Sequence, residues 1–145
     1  MSAVLKSTEL IGIRSDEIDR WWPYLESFVR KPLDRTGAIK DYLPEDILGF
    51  IKNRDMQCWV AHNGQEPLAV IITEILAYPQ RKVLGIVFTG AINGSIDLWL
   101  DHFRIMKDFA REHGCSVIRI RGRKGWEKVF KPDDTLVEFD IEVEA

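Results

Sequence analysis

Two long apolar runs sit in the middle of the chain, Pro67 to Tyr78 and Lys82 to Gly90, and each has the pattern of a strand buried on both faces. Gln57 to His62 is a shorter strand. Asn63-Gly-Gln-Glu66 between it and Pro67 is a turn signal, so Gln57 to Tyr78 reads as a hairpin. Pro79 stops the long arm, and Lys82 to Gly90 returns antiparallel to it. Ala91-Ile-Asn-Gly-Ser95 then turns the chain, and the period changes. Ile96, Trp99, Leu100, Phe103, Met106 and Ala110 recur every three or four residues, which makes one face of a helix apolar, and Gly114 ends it. Ser116 to Arg121 is a further strand. A strand-helix-strand unit of this length makes a right-handed parallel crossover, with a ligand site at the carboxyl end of its first strand.

The flanking segments are shorter. Glu9 to Arg14 reads as a first strand, and Ser15 followed by Asp16 and Glu17 starts a helix. Ile18, Trp21, Leu25, Phe28 and Val29 carry its apolar face, with Pro23 expected to kink it. Trp21 and Trp22 point about 100° apart on a helix, so at least one belongs to the core. Lys31 to Tyr42 reads as a surface loop. Pro44 to Lys52 is a short helix with proline first and acids in its first turn. Lys124 to Lys131 forms two further helical turns. In Leu136 to Glu144, Phe139, Ile141 and Val143 alternate with acids, the pattern of a last strand with one core face and one acidic face.

Composition narrows the class. The 145 residues are 46% hydrophobic and 30% charged, which fits one domain spanning 1–145 with an ordinary core. A net charge of -3 offers nucleic acid and anionic membranes no general attraction, and no apolar run approaches the ~18 residues of a membrane span. A cytoplasmic location follows as an expectation. Cys58 and Cys115 lack ligand spacing, and His62, His102 and His113 form no ligand pair, so no metal is expected.

In order, the elements are strand, kinked helix, short helix, three antiparallel strands, long helix, strand, short helix, strand. This succession resembles the GNAT superfamily of N-acetyltransferases from Glu9 to Glu144. Within Leu98 to Lys131, the words Gly114-Cys, Arg121-Gly-Arg-Lys-Gly-Trp126 and Val129-Phe-Lys-Pro132 resemble the small GNAT-like proteins of tailed phages and prophages. The resemblance implies an α/β (α+β) fold, a mixed and mainly antiparallel central sheet with helices on both faces. It also implies acetyl-CoA as cofactor, lying where the fourth strand splays from the fifth. In the superfamily a Gln/Arg-x-x-Gly-x-Gly/Ala loop holds the pyrophosphate, since small residues let backbone N–H groups approach phosphates closely. The matching stretch is Ala91 to Ile96. Gly94 fits the central glycine, Ala91 stands for the Gln/Arg, and Ile96 for the last small residue, so the loop is degenerate. The implied cofactor-binding residues are Phe88, Thr89, Ala91, Ile92, Asn93, Gly94, Ser95 and Ile96. Many members place a tyrosine acid on the short helix after the fifth strand; Gly125 to Pro132 has none.

Among carboxylates, Glu74 interrupts the apolar run from Val70 to Ala77, which suits a general base near a cleft. It equally suits a side chain facing solvent or a neighbouring cation. Arg119, Arg121, Arg123 and Lys124 concentrate positive charge, either for an acidic ligand or for ion pairs with Glu138, Asp140 and Glu142 across neighbouring strands. Two functions follow. The first is a GNAT-like N-acetyltransferase or acyl-CoA-binding relative acting on an unknown amine acceptor. The second is a catalytically inactive phage or prophage accessory or virion-associated protein that keeps the fold as a scaffold, with a second copy or a phage protein as partner.

Overall fold

The computed structural model describes residues 8–92, 100, 102–121, 127–136, 138 and 140–143. The elements are β1 (Glu9–Ile13), α1 (Ile18–Thr36), a 3-10 turn (Ala38–Lys40), α2 (Pro44–Lys52), β2 (Gln57–His62), β3 (Pro67–Ala77), β4 (Lys82–Ala91), α3 (Phe103–Glu112), β5 (Cys115–Ile120) and α4 (Glu127–Phe130). The five strands form one sheet in the order β1-β2-β3-β4-β5, antiparallel except for the β4/β5 pair. The α+β class, the hairpin and the parallel crossover are therefore as the pattern predicts.

Each face of the sheet is covered. Leu25, Val29 and Leu33 of α1 and Ile47 and Ile51 of α2 pack on Cys58, Val60, Val70, Ile72 and Phe88. On the other face Met106 and Phe109 of α3 meet Trp59, Ala61, Ile71 and Ile86. Trp59 meets the edge of the Phe109 ring at 5.0 Å between centroids. Its indole Nε1–H donates to Thr73 Oγ1 at 3.0 Å, and that hydroxyl donates to Gln57 Oε1 at 2.8 Å, so the buried polar atoms of this face are satisfied.

The stretch read as a loop from Lys31 is helical to Thr36. Leu33, fully buried, continues the 25-29 stripe by another turn. Pro32 does not end the helix because its ring lies on the buried side and Thr36 Oγ1 donates to its carbonyl at 2.8 Å. The helix stops at Gly37, whose φ of 79° is left-handed. α1 also passes through Pro23 without breaking into a separate turn.

A second correction concerns the carboxyl end. The described residues among 136–143 form no strand, and Ile141 and Val143 are 88% and 95% exposed. Alternation is a local signal, and a strand also needs an edge to pair with. Of the expected cross-strand ion pairs, Arg123 and Lys124 lie outside the described residues, and among the described ones there is a contact of Arg121 Nη2 with Glu138 Oε2 at 3.9 Å, both well exposed. Such a contact contributes little. Arg119 instead donates to the Tyr78 hydroxyl at 2.9 Å and lies over that ring.

Candidate functional site

The site begins where the parallel pair separates. β4 and β5 are in register from Lys82/Cys115 to Ile86/Ile120, and Arg121 N–H donates to the Ile86 carbonyl at 3.4 Å. β4 then runs five residues further, Val87 to Ala91, with β3 as its only strand partner among the described residues. One edge of those residues is left open there. A register shift puts Phe88 opposite Ile72 and Ile86 opposite Thr73, so Val87 is the extra residue of a bulge. The bulge turns Val87 and Phe88 to the α1/α2 face, while Ile86 stays with the α3 face. Tyr42 holds Phe88 edge-on at 5.6 Å between centroids.

A cleft of about 790 Å³ opens beside this stretch, lined by Ser27, Phe28, Lys31, Asp34 and Arg35 of α1 and by Gly90, Ala91 and Ile92. The helix comes this close to the strand because Gly90 has no side chain. A Cβ placed there would overlap the carbonyl oxygen of Phe28 and lie 2.9 Å from its carbon. Pro32 matters at the same point, since it has no N–H to give that carbonyl its usual helical bond. The carbonyl therefore meets the glycine backbone.

Of the residues expected to hold a cofactor, Ala91 and Ile92 line the cleft, with Ile92 42% exposed. Phe88 is buried and Thr89 half-buried on the open stretch of β4. Asn93, Gly94, Ser95 and Ile96 lie outside the described residues. Glu74 stands opposite Gly85, two residues along β3 from Ile72 and on the same face as Phe88. It is half-buried, at the start of the separation, and does not line the cleft. Four residues of strand, about 13 Å, separate it from Val70, the partner of Gly90.

The α1 side of the cleft escaped the sequence pattern. Ser27, Lys31 and Arg35 follow at four-residue intervals, a stripe that exists only if the helix continues past Pro32. Elsewhere, burial pushes the Cys58 thiol up to about 12, which removes it as a nucleophile at neutral pH. Among the described residues no group of His, Cys, Asp and Glu is placed to hold a metal ion, and no helix is long and apolar enough to cross a membrane.

No protein-family model and no curated protein matches the sequence. The fold, by contrast, matches solved acetyltransferases over nearly their whole length. An aminoglycoside acetyltransferase from an uncultured soil metagenomic sample superposes with a TM-score of 0.70 at 12% identity, over 95% of this chain and 99% of that one. A GCN5-related N-acetyltransferase from Ralstonia eutropha gives 0.68 at 13% identity, over 94% and 99%. A ribosomal-protein-alanine N-acetyltransferase from Brucella melitensis gives 0.64 at 12% identity, over 96% and 99%. At these identities the likeness is one of fold: the chain has the GNAT acetyltransferase fold.

Proposed function

We propose that this protein binds acyl-CoA, acetyl-CoA first among them, and transfers the acyl group to an amine. The observation that carries the reading is the separation of β4 from β5 after Ile86/Ile120, which leaves Val87 to Ala91 open beside a cleft. The residues fit the cofactor. An extended pantetheine arm can lie along the open edge as an added strand would, taking backbone hydrogen bonds, and Gly90 and Ala91 keep the path clear of large side chains. When bound, acetyl-CoA supplies an activated acyl thioester. The chain's own part is to align the acceptor amine and take its proton, and Glu74 is the carboxylate placed at the start of the open stretch to do so.

Calorimetric titration with acetyl-CoA tests the reading. Micromolar binding, abolished by Ala91→Trp with the melting temperature preserved, is expected. Absence of binding would overturn it and favour the scaffold reading, which copurification with a phage capsid or tail component would support. The acceptor is an amine of unknown identity. The two cations that line the cleft disfavour a polycationic acceptor.

A further inference from the structure

We infer that Lys31 and Arg35 form an anion subsite on α1 that takes a phosphate group of the ligand lying at the end of β4. The inference rests on the acyl-CoA reading for the source of that phosphate, though not for the subsite itself. Both side chains line the cleft with Ala91 and Ile92, and among the described residues neither takes part in an ion pair or hydrogen bond. Two neighbouring cations are paired instead. Arg30 holds Glu26 at 2.7 Å, and Lys52 holds Asp19 at 2.9 Å. Asp34 also lines the cleft, but its charge is shared with Arg30, whose guanidinium is stabilised first by Glu26 and also by Asp34. Among the described lining residues, one carboxylate stands against two cations, a positive balance in a chain whose total charge is -3.

The position matters as much as the charge. Ala91 and Ile92 are aliphatic and offer a phosphate nothing beyond their backbone. The cations that would neutralise a phosphate there reach in from the helix across the cleft, which the Phe28/Gly90 contact holds close to β4. Arg supplies a planar fork and Lys a point charge, both suited to phosphate oxygens.

Backbone amide spectra recorded with inorganic pyrophosphate test the subsite directly. Saturable shifts of the Lys31, Arg35 and Ile92 amides are expected, with affinity falling tenfold or more in Lys31→Gln/Arg35→Gln and further in Lys31→Glu/Arg35→Glu. No saturable shift, or a shift indifferent to both variants, would overturn the inference. A parallel titration with CoA and with pantetheine identifies the source. If the phosphate is the cofactor's, the glutamine variant weakens CoA tenfold or more and leaves pantetheine unchanged. If CoA is unaffected while pyrophosphate binding falls, the subsite stands and serves the acceptor. A wild-type protein that binds pyrophosphate but not CoA contradicts the acyl-CoA reading alone.

Discussion

The carbonyl of Phe28 rests against the backbone of Gly90, so the distance between α1 and β4 is set by a residue with no side chain. Phe28 is also the residue whose helical bond Pro32 cannot supply. Gly90→Ala forces a methyl group onto a backbone oxygen that cannot swing aside. The variant is expected to lose roughly 1–3 kcal/mol, towards the upper end because the obstacle is main chain. Urea unfolding measures this; a loss below ~0.5 kcal/mol would show that the helix can retreat freely.

Thr73 lies between Trp59 and Gln57 and is fully buried. Thr73→Val keeps the shape and removes both hydrogen bonds, leaving the indole N–H without an acceptor. The expected cost is about 1–3 kcal/mol, read from denaturant unfolding followed by tryptophan fluorescence. An unchanged midpoint would mean that the indole finds another acceptor.

Cys58 gives the pH dependence a definite sign. Its thiol is held up to about 12 by burial, against 9.0 for a free thiol. Below pH 9 both states keep the proton and the group contributes no slope. Between 9 and 12 the unfolded chain loses the proton and the folded one does not, so stability falls as pH rises, by up to ~1.4 kcal/mol per pH unit. Cys58→Ala should flatten that slope relative to the parent chain. In the native protein at pH 8, a thiol reagent should label half-buried Cys115 rapidly and Cys58 only at the rate of unfolding.

Glu74→Gln separates binding from proton transfer. The side chain lies outside the cleft lining, so acetyl-CoA affinity should be unchanged. With a competent amine, turnover should fall by roughly 10²–10⁴-fold. Full activity in this variant would remove Glu74 as the base.

Much of this architecture is legible in the residues alone, because period-two and period-3.6 patterns report burial directly. The three antiparallel strands and the parallel crossover come from such patterns, whereas Ala91 and Ile92, which line the cleft, are expected only from the family resemblance. Two features are not legible. Pro32 hid the last turn of α1, since a proline reads as a stop unless its buried side and the Thr36 bond to its carbonyl are known. Lys31 and Arg35, read as loop residues, thereby lost the four-residue spacing that places them on one face. The tail failed in the opposite direction. Ile141 and Val143 alternate with acids as a strand would, yet pairing depends on a neighbouring edge that alternation does not encode.

The central claim is that the open edge of β4 from Val87 to Ala91 receives an acyl-CoA. Amide hydrogen exchange with and without acetyl-CoA tests it most directly. The account predicts slower exchange at those amides of Val87 to Ala91 that do not bond to β3, and little change in β2. Unchanged exchange along β4 at a concentration where calorimetry shows binding would place the ligand elsewhere and contradict the account.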